Sequence, residues 1–205
     1  MPLLRMVQGV AMKEVGRFNI ASGAVRMSDP CYDTGIWCAG DVEKVKNGEW
    51  TAFIREENLE GWGRRNAELH VYSKGRGPTS KLTWTPVGFE VGVDSGQAGI
   101  FDADKYRKNE AVLDSDLPAR TQENDYAFRI MDGTIGVGKS DDGRFYGACC
   151  AVTAAEPAAG VLNFGALSSS GIGDGGYDGF VARNSRGVAV ALKIVFLTDE
   201  PPADE

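Results

Sequence analysis

An all-β, antiparallel, sandwich-like fold is what this sequence predicts, and three observations predict it. Glycine occurs 27 times in 205 residues that are 42% hydrophobic and 9% aromatic, the balance of short strands joined by tight turns. The longest apolar run, Gly187 to Leu197, places Val188, Val190, Leu192, Ile194 and Phe196 on one face and Ala189, Ala191, Val195 and Leu197 on the other. A strand apolar on both faces belongs in the middle of a sheet, covered on both sides. Just before it, Ser168 to Gly179 reads SSSGIGDGGYDG, a glycine-dense stretch able to take backbone angles that a Cβ disfavours. A tight loop fed by strands is the first place to look for a site.

Taken in order, Phe18–Ala21 and Ala24–Met27 flank Ser22-Gly23, the length of a two-residue hairpin turn, and Pro30 ends the second strand. Asp41 to Gly48 can hold one helical turn ended by Asn47-Gly48. Glu49 to Arg55 alternates, with Trp50, Ala52 and Ile54 on one side, and Asn58 to Arg65 reads as an exposed connection. Glu68 to Tyr72 alternates with Leu69 and Val71 inward, or with His70 and Tyr72 inward in the other register. Leu82–Thr85, ended by Pro86, and Phe89–Val93 follow as separate short strands, and Asp94 to Asp102 as a strand bent at Gly96 and Gly99.

Asp104 to Lys108 forms the one short helix expected, capped by Asp102, and the polar stretch to Asp125 is a long loop. Tyr126–Met131 and Thr134–Val137 pair across Asp132-Gly133, a strong hairpin signal. Asp142-Gly143 makes another turn, Phe145 to Thr153 is a strand of small residues, and Gly160 to Phe164 is a strand. Phe180–Ala182 and Val188–Leu197 then pair across Arg183 to Gly187. Residues 1–198 read as a single domain, followed by a disordered acidic tail at 199–205.

Net charge is −7 with 29 acidic and 22 basic residues, which argues against a nucleic-acid surface, since phosphate binding draws on clustered Lys and Arg. No stretch approaches the roughly 20 apolar residues of a membrane span. The start, Met1 to Val15, is broken by Gln8, Lys13 and Glu14 before any cleavage site, so a cytoplasmic protein with no membrane partner is expected. Cys31, Cys38, Cys149 and Cys150 fit buried, reduced thiols better than a disulfide framework. Zinc held by Cys31, Cys38 and Cys149 or Cys150 lacks a close-spaced knuckle, and a Cys149–His70 nucleophile pair depends on geometry alone. The four tryptophans, Trp37, Trp50, Trp62 and Trp84, suit packing better than a sugar-stacking platform.

Two strings imitate nucleotide motifs. Gly133-Thr-Ile-Gly-Val-Gly-Lys-Ser140 satisfies the G-x-x-x-x-G-K-S count, but Asp141-Asp142-Gly143 sets a turn and two negative charges where a helix start is needed. Gly171 to Gly176 resembles a dinucleotide fingerprint but is followed by a strand. Asp174 to Asp178 offers oxygens to calcium yet lacks the third- and twelfth-position ligands of an EF-hand. No metal and no cofactor are therefore expected.

Three stretches, Phe18–Pro30 (FNIASGAVRMSDP), Val93–Asp102 (VDSGQAGIFD) and Ser170–Tyr177 (SGIGDGGY), together resemble an uncharacterised bacterial and phage-associated family, one of the domains of unknown function. The resemblance implies a compact, soluble, β-rich domain with no established activity, and carries over no catalytic assignment. The long Ala103–Asp125 segment, Cys31 and Cys149-Cys150 match no motif of that family.

The expected function is a non-enzymatic binding or interaction module for a protein or small-molecule partner, with Asp29, Asp94, Gln97, Asp102, Asp174 and Tyr177 on loops at one end of the sandwich. The alternative is a hydrolase acting on a carbohydrate-like substrate through Asp94 and Asp174, one carboxyl keeping its proton beside the other's charge. Against it stands the ordinary role of Asp beside Gly, closing a turn onto its own backbone.

Overall fold

The computed structural model describes residues 11–136 and 142–198. These form eleven strands and two α-helices: β1 (Met12–Ile20), β2 (Ala24–Ser28), β3 (Gly40–Glu43), β4 (Gly48–Leu59), β5 (Gly63–Ser73), β6 (Trp84–Val93), β7 (Gln97–Asp102), α1 (Asp125–Met131), α2 (Gly143–Thr153), β8 (Ala159–Leu162), β9 (Gly165–Ser169), β10 (Gly175–Arg183) and β11 (Ala189–Val195). Two antiparallel sheets pack face to face, one ordered β1-β4-β5-β11-β10-β6 and the other β3-β2-β7-β9-β8. The β-dominated, sandwich-like architecture is the one the sequence predicts.

The apolar run near the C-terminus lies where its two-faced pattern puts it. β11 pairs with β5 through Leu192 opposite Val71 and with β10 through Leu192 opposite Val181. Its inward Leu192 and Ile194 join Trp50, Ile54, Leu69 and Val71 of neighbouring strands. The second sheet contributes Val25, Met27, Ala98, Ile100 and Ala166 to the same core. Burying such side chains is worth roughly 1.5–3 kcal/mol each, so this layer is the main source of stability. The outer face of β11 is covered too: Ala191 packs with Tyr72 and Ala182, against Phe53, Leu82 and Trp84.

A second core lies on the far side of the smaller sheet. Phe101, Leu162 and Leu167 meet Phe145, Ala148, Cys149 and Val152 of α2 and Tyr106 and Val112 of the segment after β7. This layer corrects the expected strand at Phe145–Thr153 and the first arm of the expected hairpin, Tyr126–Met131, which are α2 and α1, while the end of the second arm, Val137, lies outside the described residues. The small residues serve helix contact. A Cβ on Gly147 would fall 2.4 Å from Met131 Cγ and 2.8 Å from the Ala127 carbonyl oxygen, so its hydrogen lets α1 and α2 touch.

Other expectations are also corrected. Ser22-Gly23 joins no hairpin, because β1 and β2 belong to different sheets and the chain crosses from one layer to the other there. Asp41 lies in β3, not a helical turn. Leu82–Thr85 and Phe89–Val93 are not two strands: β6 runs through Pro86, tolerated because β6 is an edge strand paired only with β10. Asp104–Lys108 is a turn, and the segment beyond carries 3-10 turns at Asn109–Ala111 and Asp114–Asp116. Asn58–Arg65 is the paired tip of the β4–β5 hairpin. The tail at 199–205 and the Gly138-Lys139-Ser140 end of the phosphate-loop-like string lie outside the described residues. The start of that string follows α1, where a phosphate loop needs a strand.

Candidate functional site

Loops from both sheets gather at one end of the sandwich, and a buried aspartate joins them. Asp29 follows β2 and is wholly excluded from solvent. One carboxylate oxygen accepts the backbone N–H groups of Asp94 at 2.9 Å and Ser95 at 2.7 Å. The other accepts the N–H of Cys31 at 2.8 Å and the Ser95 hydroxyl at 2.6 Å. A buried carboxylate is tolerable only when so satisfied, and here its donors are the β6–β7 turn and the chain after β2. Asp29 therefore locks two loops to each other.

The same turn receives the third loop. Asp174 accepts the Gly96 N–H at 3.1 Å, and the Ser170 N–H reaches the Gly96 carbonyl at 3.0 Å. Tyr177 closes that loop on itself, its hydroxyl donating toward the carbonyls of Ser170 at 2.9 Å and Gly173 at 2.6 Å while its ring meets Phe196 edge-on. Gly171 has φ +62° and a Cβ there would approach Leu197 to 3.0 Å, so both backbone angle and space call for glycine. The glycine-dense stretch is thereby fixed by the end of β11 and the residues after it.

Asp94, Gln97, Asp174 and Tyr177 thus share one end with Asp29. Asp102 does not. It sits at the opposite end of β7, where it accepts the N–H groups of Ala21 at 2.6 Å, Ser22 at 3.0 Å and Asp104 at 3.0 Å. It fastens the crossing between the sheets. Asp94 and Asp174 are both exposed and meet the same turn, one through its backbone and the other through its carboxylate. The Asp94 side chain also hydrogen-bonds with Tyr32. Of the string Asp174 to Asp178, the residues from Gly175 on lie in β10 rather than in a loop.

Sequence reasoning named Gln97 but missed the side chains around it, Ser95, Tyr146, Cys150 and Thr153. Gln97 donates to Cys150 Sγ at 3.4 Å and accepts from the Thr153 hydroxyl at 3.0 Å. Tyr146 stands one helical turn before Cys150 and hydrogen-bonds to it and to Ser95. Burial pushes the Tyr146 hydroxyl up, with the Cys150 neighbour adding to it. Burial likewise raises the Cys31 thiol, reinforced by the Asp29 charge, and the Cys150 thiol, partly offset by Gln97 and Tyr146. Cys149, entirely buried, is raised well above the usual range by burial. Thiols held protonated are poor nucleophiles. The i, i+4 spacing of Tyr146 and Cys150 would have revealed their shared face had residues 143–153 been read as a helix.

The Cys149–His70 pair is overturned by layer: Cys149 packs between α2 and the smaller sheet, while His70 lies on the outer face of the larger one. There His70 bonds Tyr72 Oη at 2.8 Å and Glu68 at 2.5 Å. Glu68 also meets Arg55 at 2.6 Å and Lys193 at 3.5 Å, and Arg55 pairs with Glu57. Among the described residues no group of three or more His, Cys, Asp or Glu side chains is placed to hold a metal ion. No helix among them is long and apolar enough to cross a membrane.

Around the Asp29 end the surface carries two exposed apolar side chains, Trp37 at 80% and Ile172 at 58% exposure. Trp37 precedes Cys38, whose carbonyl accepts the Gly92 N–H at 2.7 Å, and Ile172 lies between Ser170 and Asp174, so they flank the β6–β7 turn. A cavity of about 420 Å³ at the opposite end is lined by Arg17, Asn19, Glu49, Asp116 and Asn163 among others. It contains none of the residues expected from sequence. Comparisons with family profiles, with curated proteins and with solved structures each return no match to this chain.

Proposed function

We propose that the chain is a non-catalytic binding module, soluble and cytoplasmic, of the bacterial and phage-associated family that its three motifs resemble. Its interaction surface is the end of the sandwich around the β6–β7 turn. The observation that carries this reading is the use made of Asp29 and Asp174: their carboxylates hold three loops in one arrangement by accepting four hydrogen bonds and one, respectively. Loops fixed in advance lose little entropy on binding, and Trp37 and Ile172 supply exposed apolar contact beside the acids Asp94 and Asp174. Hydrolysis by Asp94 and Asp174 has less support, because both are open to water and one is already engaged by the backbone.

A photo-crosslinking side chain at Ile172 tests the surface. In a bacterial lysate it is expected to capture a discrete partner that the same group at Ser22, at the far end, does not. Equal capture at both places contradicts the assignment. Incubation with soluble polysaccharides and a reducing-end assay tests the other reading: turnover that disappears in Asp94→Asn and Asp174→Asn would establish the hydrolase.

A further inference from the structure

The cavity of about 420 Å³ lies at the corner where the edge strand β1 of the larger sheet meets the edge strand β8 of the smaller. Gly16 allows the approach: its φ is +147°, and a Cβ there would fall 2.5 Å from Val161 Cγ2. The Asn19 N–H reaches the Asn163 carbonyl at 2.9 Å. Asn163 Nδ2 in turn donates to Asp116 Oδ2 at 2.8 Å and to the Ala111 carbonyl at 3.1 Å. These bonds hold the 3-10 turn Asp114–Asp116 at the rim, so the polar walls are set before any ligand arrives.

The charged groups of the cavity are not matched to each other. Arg17 stands opposite Thr51 and Asn19 opposite Glu49, which makes Arg17 and Glu49 diagonal neighbours, a separation that long side chains span. They do not pair. Arg17 Nε meets Glu14 at 3.4 Å, and Glu49 Oε1 meets Lys74 at 3.6 Å. With Arg17 at 61% and Glu49 at 44% exposure, such contacts are weak and easily exchanged. Asp116 receives both of its donors, the Leu113 N–H and Asn163, on Oδ2. Among the described residues, the end nitrogens of Arg17, Glu49 Oε2 and Asp116 Oδ1 are left without partners. The described chain begins and ends at the other end of these strands, with Met12 opposite Arg55 and the Leu197 carbonyl accepting from Arg55.

We propose that this corner binds a free α-amino acid, its carboxylate held by the Arg17 fork and its ammonium group by Glu49 and Asp116. A molecule carrying both charges makes the bridge that Arg17 and Glu49 do not make directly, through charge-assisted bonds at each end. A simple anion would meet two carboxylates, and a simple cation would meet the guanidinium. The volume suits a small molecule, and half-buried Val161 lends apolar wall to its side chain. The site lies at the opposite end from the β6–β7 turn and stands whether or not that surface binds a partner.

Isothermal titration calorimetry of the intact chain with each proteinogenic L-amino acid tests it. At least one is expected to bind with a Kd below about 1 mM. Its N-acetyl and methyl-ester forms, each lacking one charge, are expected to bind at least about tenfold more weakly, the loss of one charge-assisted bond. Arg17→Met and Glu49→Gln are expected to weaken binding of the free amino acid by a similar factor while their unfolding midpoints stay at the wild-type value. The proposal is overturned by no heat from any amino acid at about 10 mM, by blocked forms that bind as tightly as the free one, or by unchanged binding in either variant.

Discussion

Two carboxylates drawn away from water, Asp29 wholly buried and Glu68 partly so, solve the same problem in opposite ways. Asp29 is surrounded by neutral donors, three backbone N–H groups and a serine hydroxyl, all supplied by loops. Glu68 is surrounded by ionisable side chains, Arg55, Lys193 and His70, supplied by three adjacent strands. The first arrangement fixes backbone and makes a rigid display. The second ties β4, β5 and β11 together on a sheet face and responds to pH and salt. The candidate site is built on the first.

Removing Asp29 sets the largest expected difference. Asp29→Ala leaves buried donors without an acceptor and should lower stability by about 3 kcal/mol, read from urea unfolding. Asp29→Asn, which keeps one acceptor oxygen, should fall between. Glu68→Gln should cost less, about 2 kcal/mol, because its side chain is 15% exposed and Arg55 retains Glu57. Raising salt should shrink the Glu68→Gln effect and leave the Asp29→Ala effect unchanged. If Glu68→Gln proves the more damaging, the ranking of neutral clamp above charged network is wrong.

Acid should act on the network in two stages. Burial lowers the His70 pKa below its usual 6.5 although Glu68 pulls the other way. Burial alone would raise Glu68, but the His70 hydrogen bond and the Lys193 and Arg55 charges outweigh it and bring it down to about 2. Both groups bind fewer protons folded than unfolded, so each adds stability that is complete above its unfolded value and is lost on acidification. The first loss begins below 6.5 and should vanish in His70→Gln; the second runs from 4.5 to about 2 and should vanish in Glu68→Gln. Midpoints of thermal unfolding against pH check both.

The smallest effect belongs to Asp94→Asn. Only the backbone of Asp94 reaches Asp29, and its side chain is exposed, so stability should change by less than about 0.5 kcal/mol. The same variant should weaken partner capture at Ile172 if the surface is the binding surface.

Much of the fold was legible because β-patterning is local. The two-faced run at 188–197, the inward Trp50, Ala52 and Ile54, and the β10–β11 pairing all follow from alternation and turns. Layer assignment was not local. Ser22-Gly23 announced a turn, but a turn does not say whether the next strand joins the same sheet. Residues 126–153 misled because Asp132-Gly133 is as good a helix end as a hairpin tip, and because Gly147, Ala148 and Ala151 suit helix contact as well as a crowded strand. At the site, Asp29 and Asp174 stood out as carboxylates, yet their engagement by Ser95 and Gly96 comes from residues 66 and 78 positions away. Asp102 looked like a companion by sequence and lies a whole strand apart.

Native-state hydrogen exchange at the Asp94 and Ser95 amides tests the central claim, that Asp29 holds the display loops rigid. Both amides should be strongly protected in the wild type and should lose that protection in Asp29→Ala, while amides within β11 keep theirs. Rapid exchange at Asp94 and Ser95 in the wild type, or protection unchanged without the Asp29 carboxylate, would contradict it.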